Sequence, residues 1–194
     1  MVESVGGEWV GVEPFEGGAH TVTAVAENLL FDAESFDVVI MDSVLEHIAD
    51  VGAAIAEAGR ILRPGGCLIG YAAFMECYHE ISYSHLSFKA LENYSTMNGL
   101  RLEKLSGGTR FGIDYHLMML LYPLPIRWIR GLIAFGIRGV IRCKALYANV
   151  ALRLKGCSGA EANRKSATYY RLECLRQSNG FNFVIRKPQR NGNG

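Results

Sequence analysis

Ser35-Phe-Asp-Val-Val-Ile-Met-Asp-Ser-Val-Leu-Glu-His-Ile48, followed after a short gap by Arg60-Ile-Leu-Arg-Pro-Gly-Gly-Cys-Leu-Ile69, is the stretch that decides the fold. From Phe36 to Met41 the side chains are almost continuously apolar, which suits a parallel strand covered on both faces. Asp50 has the character of a helix N-cap, and Val51, Ile55, Ala58 and Leu62 then recur at i, i+4, i+7 and i+11, one stripe of a helix. Arg63-Pro-Gly-Gly66 is expected to end that helix in a tight turn, with Cys67-Leu-Ile-Gly-Tyr-Ala-Ala-Phe74 as the next strand. Strand, helix and strand in this order make a βαβ unit.

Upstream, Glu8-Trp-Val-Gly-Val-Glu13 lies between Gly6-Gly7 and Pro14 and reads as a strand ending on a carboxylate; Thr21-Val-Thr-Ala-Val-Ala26 reads as a second. Downstream, a helix is expected from a Ser87 cap to Asn98-Gly99, and Leu100-Arg-Leu-Glu-Lys-Leu105 alternates as a strand does. The expected class is α/β, a Rossmann-like, mostly parallel, doubly wound sheet. After Gly107-Gly108 the rhythm changes. Residues 115 to about 155 read as helical, apolar and basic, residues 166 to 177 as a short helix, and Phe181-Asn-Phe-Val-Ile-Arg186 as a closing strand. The polar residues 187 to 194 are expected to be disordered.

The 194 residues are 49% apolar and 20% charged, too apolar for disorder and enough for one core with an appendage. Cys67, Cys77, Cys143, Cys157 and Cys174 are odd in number and form no CxxC pair, which argues against a disulfide scaffold or structural zinc and for a reducing cytoplasm. The formal net charge of +1 hides a polarity: residues 1–100 hold 15 acidic and 3 basic side chains, the rest 17 basic and 4 acidic. Either the acidic half suits a cationic cofactor and the basic half an anionic partner, or the halves complement each other within one fold. No Lys or Arg occurs before residue 51, so no secretory or transit signal is expected; Pro123, Pro125 and several arginines interrupt the most apolar region, so no membrane span is expected either.

Taken together, Trp9-Val-Gly-Val-Glu13, Ala26-Glu-Asn-Leu-Leu-Phe31, the Phe-Asp-Val-Val…Leu-Glu-His run, Leu62-Arg-Pro-Gly-Gly66 and Asn98-Gly-Leu-Arg-Leu102 resemble the class I S-adenosylmethionine-dependent methyltransferases, in particular their type 11 small-molecule group, over residues 8–106. The resemblance implies S-adenosyl-L-methionine as cofactor, Glu13 as the acid that binds its ribose, and Ala26 and Glu27 beside its adenine. It places Asp42 and Ser43 at the methionine end, and Glu46 and His47 where substrate-facing side chains often stand. His47, His79 and His85 are the candidate bases, since an imidazole titrates near neutrality. His47 is alternatively a structural helix-start residue, and His79 a surface one. No metal site is expected, because the pair His79 and His85, six apart with Glu80 nearby, lacks a third well-spaced ligand.

Two positions depart from the family pattern. Its glycine-rich loop between first strand and first helix belongs well upstream of Glu13, yet only 12 residues precede Glu13; Val25 stands where an adenine-binding acid is common. A sheet incomplete at its N-terminus is therefore expected, in either a truncated or a degenerate relative, with weakened cofactor binding in both cases. The expected organisation is a partial methyltransferase core at 1–110, a helical insertion or lid at 111–178, a closing strand at 179–187 and a tail at 188–194.

On a helix over residues 126–143, Arg127, Arg130, Arg138 and Arg142 fall within about 120° of one another. Trp128, Ile129, Leu132, Ile133, Phe135 and Val140 take the other side. This describes either a lid packed on the sheet over a small or lipid-like acceptor or a helix in peripheral contact with an anionic membrane. The alternative to a methyltransferase is accordingly a non-catalytic, methyltransferase-like binding protein that docks on an anionic membrane or partner through its basic helices. Nucleic acid is not expected as a partner, and no Gly-x-Gly-x-x-Gly follows a strand to support a nicotinamide enzyme.

Overall fold

The computed structural model describes residues 7–16, 22–76, 81–107, 127–176 and 178–190. The elements run β1 (Val12–Glu13), β2 (Val22–Thr23), β3 (Phe36–Asp42), a 3-10 turn (Leu45–His47), α1 (Val51–Ile61), β4 (Leu62–Ala73), α2 (Phe88–Met97), β5 (Arg101–Gly107), α3 (Arg127–Leu154), α4 (Gly159–Arg176) and β6 (Gly180–Arg186). Strands β1 and β2 form a parallel ladder of their own, while the main sheet has the order β3–β4–β6–β5. β3 pairs with β4 in parallel, and β6 is antiparallel to both neighbours, so three of the four strands run the same way. This is an α/β, Rossmann-like arrangement with its helices inserted before the last strand.

Local chemistry explains the boundaries. The Asp50 carboxylate accepts the Ala53 N–H at 2.9 Å and starts α1; Ser87 Oγ accepts the Ala90 N–H at 3.2 Å and starts α2. Met41, Leu45, Val51, Ile55, Leu68, Leu91, Phe183 and Ile185 belong to one core on the sheet face that carries α1 and α2. Across the other face the row Val38–Cys67 and Ile40–Ile69–Val184 is covered less well: Val38 and Ile40 are exposed and their neighbours half-buried. At the centre, a Cβ on Gly70 would collide with the Met41 carbonyl oxygen, so only glycine lets β3 and β4 approach.

Several expectations are corrected. Arg63-Pro-Gly-Gly66 does not form the turn after α1. The helix ends at Ile61 and these residues are an irregularity inside β4, where pairing jumps from Phe36–Leu62 to Val38–Cys67. Gly65 takes φ +84 there and donates to the Lys187 carbonyl at 3.0 Å. The two opening strands shrink to two residues each. Helix α4 begins at Gly159, seven positions before the expected start, with Ser158 Oγ accepting the Glu161 N–H at 3.3 Å. The tail is anchored as far as Arg190: Lys187 Nζ donates to the carbonyls of Gly59 and Leu62 at 2.8 and 2.7 Å, and Arg190 pairs with Glu34 at 2.8 Å. In α3, Trp128, Leu132, Phe135 and Val140 are exposed instead of packed on the sheet, and Ile141 is the buried residue. Residues 111–126 of the expected insertion lie outside the described residues.

The segment after β2 is fastened to α1 by one carboxylate. Glu57 accepts the Leu29 N–H at 3.0 Å and pairs with Arg60, which donates to the Phe31 and Leu29 carbonyls at 2.8 and 3.0 Å. The Arg60 guanidinium, with the Leu29 amide, holds the Glu57 carboxyl below its ordinary value of 4.5, although burial opposes this.

Two outcomes follow for stability. Gly70→Ala should cost about 3 kcal/mol or more in urea unfolding, because backbone and not a flexible side chain blocks the new methyl; an unchanged midpoint would contradict the packing. Glu57→Gln should lower Tm by about 2–4 °C at neutral pH. A depressed carboxyl pKa stabilises above its unfolded value and the benefit disappears as pH falls through the folded one. The gap between wild type and Glu57→Gln should therefore close below pH 4.5, the ordinary value from which Glu57 is depressed.

Candidate functional site

The carboxyl ends of β3 and β4 meet at one rim, and the polar residues around it follow from the chain path. Asp42 ends β3 opposite Tyr71 of β4, and Ser43 continues the ladder by donating its N–H to the Tyr71 carbonyl at 3.2 Å. Ser43 has φ +55, a left-handed conformation costly for a residue with a Cβ, which turns the chain sharply into the 3-10 turn. Asp42 and Ser43 stay exposed.

The next two side chains lie deeper. Glu46 is 1% exposed, and neither carboxylate oxygen has a hydrogen-bond partner. Its carbonyl accepts the Tyr83 N–H at 2.8 Å, which stitches the segment beyond β4 onto the turn. His47 Nδ1 lies 2.7 Å from the Ile81 carbonyl oxygen. A carbonyl only accepts, so Nδ1 carries the proton, and in the neutral ring Nε2 is the basic nitrogen. His85 is half-buried just before Leu86, whose N–H donates to the Ala73 carbonyl at 2.9 Å, so this histidine stands at the end of β4. His79 lies outside the described residues.

On the near side, residues 25–28 form a turn closed by Asn28 N–H to the Val25 carbonyl at 3.1 Å. Ala26 packs against the core, and Glu27 accepts the Asp50 N–H at 3.4 Å, at the start of α1. Glu27, Asp42, Ser43, Glu46, His47 and His85 thus share the rim. Glu13 is exposed at the carboxyl end of β1, in the separate two-stranded ladder, and no hydrogen bond joins that ladder to β3 among the described residues.

Sequence reasoning did not reach Asn179. It is fully buried, its side-chain amide has no partner, and its carbonyl accepts the N–H groups of Phe74 and Met75 at 2.8 Å, where β4 ends. The turn Ser178-Asn-Gly180 before a strand was the available signal.

The donor set suits part of S-adenosylmethionine. Carboxylates that only accept fit a ribose diol and a sulfonium cation, and the orphaned oxygens of Glu46 mark where an outside donor is missing. For the methionine carboxylate, no glycine-rich turn follows a strand and opens a helix among the described residues.

The sequence profile of the methyltransferase domain family (type 11) matches residues 8–70. An uncharacterized methyltransferase of Mycobacterium sp. (strain JLS) is 29% identical over 126 residues, which cover 57% of this chain and 50% of that protein. A ubiquinone biosynthesis O-methyltransferase of Mesorhizobium japonicum is 42% identical over 43 residues, 22% of this chain and 17% of that protein. Among solved structures, a SAM-dependent methyltransferase of Thermotoga maritima aligns with TM-score 0.42 and 28% identity over 50% of this chain and 55% of its own. One from Methanosarcina mazei gives TM-score 0.48 and 14% identity over 89% and 69%. The chain spans about half the length of the first of these relatives. With the motif order described above, residues 8–70 are similar to the methyltransferase domain of type 11, a family whose cofactor is S-adenosyl-L-methionine.

Proposed function

We propose that this chain binds S-adenosyl-L-methionine at the carboxyl rim of β1 and β3 and takes part in methyl transfer to a small or lipid-like acceptor. The observation that carries the reading is the Glu46 carboxylate, buried at the rim with both oxygens unpartnered. Burying an unpaired carboxylate is costly, and such a cost is retained where a ligand supplies the missing partner. The cofactor supplies an electrophilic methyl on a sulfonium. The protein's part is to hold, align and dehydrate the reactants.

In this reading Glu13 accepts both ribose hydroxyls, and the turn holding Ala26 and Glu27 flanks the adenine. Asp42 and Ser43 lie by the methionine end. Glu46 accepts a hydrogen bond from the acceptor or screens positive charge beside it. His47 Nε2 takes the proton of an attacking hydroxyl or amine while Nδ1 stays fixed on Ile81. His85, and His79 if it reaches the rim, are the alternative bases.

Calorimetric titration of the full chain with S-adenosyl-L-methionine tests this. Binding should be measurable and should weaken at least ~10-fold in Glu13→Ala, the scale of one lost charge-assisted hydrogen bond. No heat at millimolar cofactor, or a Glu13→Ala chain that binds as wild type, would overturn the assignment. Glu46→Gln should raise the Tm of the ligand-free chain while lowering methyl transfer, since it removes a buried carboxyl group with both oxygens unpartnered. A fall in Tm would show that Glu46 serves the fold instead.

A further inference from the structure

Helix α3 carries a surface that the methyltransferase fold does not use. We propose that α3 lies flat on an anionic lipid bilayer, its exposed apolar side sunk into the interface. Trp128, Leu132 and Phe135 follow at intervals of four and three, and Leu146 and Val150 continue the same line on a helix of about 3.6 residues per turn. All five are exposed, Trp128 to 67% and Phe135 to 74%, and Tyr147 and Leu154 beside them to 78% and 84%. Side chains of this size in one strip are far more than scattered surface residues, and they mark an interaction face. The opposite side is already occupied, since Ile141 is buried and Ile137, Ala145 and Ala148 are half-buried; on the flank between, Asn149 bonds Asn163 and Ser166 of α4 at 2.9 Å each.

Charge identifies the partner. α3 contains six basic residues and no acid. In α4 both acids are matched locally, Glu161 by Lys165 at 2.7 Å and Glu173 by Arg176 at 2.8 Å, so the helical pair stays strongly cationic. By helical angle, Arg138 and Arg142 border one side of the apolar strip and Lys144 the other, and all three are exposed. Long basic side chains flanking an apolar face can reach back to lipid phosphates while their stems rest in the acyl boundary. Gly131, Gly136 and Gly139 would meet no heavy atom within 4 Å if given a Cβ, so this part of α3 is bare backbone toward solvent. Such a helix is weak in water and strengthens where water is scarce, because its backbone bonds lose their competitor. No helix among the described residues is long and apolar enough to cross a membrane, so α3 lies on the surface. A second copy fits less well, since it would set one basic helix with no acidic residue against another of the same charge.

The proposal does not depend on methyl transfer and is tested on the full chain with two extruded vesicle types, phosphatidylcholine alone and phosphatidylglycerol. Sedimentation with phosphatidylglycerol should be at least ~10-fold stronger and should weaken with salt, since the basic residues of α3 are attracted to an anionic surface. Leu132→Ser/Phe135→Ser and Arg138→Ala/Arg142→Ala should each lower it without changing the circular dichroism or the cofactor titration. In a Trp9→Phe chain, whose fluorescence reports Trp128 alone, emission should shift to the blue on adding phosphatidylglycerol. Equal sedimentation with both lipids, or an unshifted Trp128, would overturn the proposal. So would a lipid-free dimer that Leu132→Ser/Phe135→Ser dissolves, which would assign the strip to a second copy.

Discussion

The contact on which the site depends is the approach of β4 to β3 at Gly70. The Met41 carbonyl occupies the space that any side chain would need, and this closeness holds Asp42 and Ser43 level with Tyr71. The left-handed turn at Ser43 then leads the chain into the 3-10 turn, where Leu45 and Glu46 are both buried. Glu46, the most costly side chain of the rim, thus follows a packing relation that lies four residues before its turn begins.

Much of this was legible from residue types. The apolar run at Phe36, the Asp50 and Ser87 caps and the stripe from Val51 fixed β3, α1 and α2, since each is a local signal with a local cause. Tertiary relations were less legible. Arg63-Pro-Gly-Gly66 carries strong turn chemistry, yet Lys187 and Arg186 bond the backbone of Gly65 and Gly66 and draw them into the sheet. The direction of β6, its place between β4 and β5, and the exposure of α3 depend on what lies beside each element, which periodicity does not encode. At the site, Asp42, Ser43 and His47 were named by motif, whereas the isolation of Glu46 and Asn179 appears only when their neighbours are known.

The split of charge seen in the sequence acquires a spatial meaning. The acidic residues of the first half include the rim side chains, while the basic ones collect on α3 and α4. The two surfaces suit ligands of opposite sign within one chain, and α4 meets the sheet through Arg171, which donates to the Leu105 carbonyl at 2.9 Å.

Lys187 has a consequence for anyone shortening this polypeptide. Its ammonium group closes the C-terminal carbonyls of α1 from a position more than a hundred residues further along, a role usually left to a neighbouring cap. A stop codon placed just after β6 would spare every core side chain yet strip the helix of the clasp on its Gly59 carbonyl and on the Leu62 carbonyl just beyond it. Protease nicking near the carboxyl end would accordingly be felt first around Gly59 and Leu62, on the far side of the molecule's sequence.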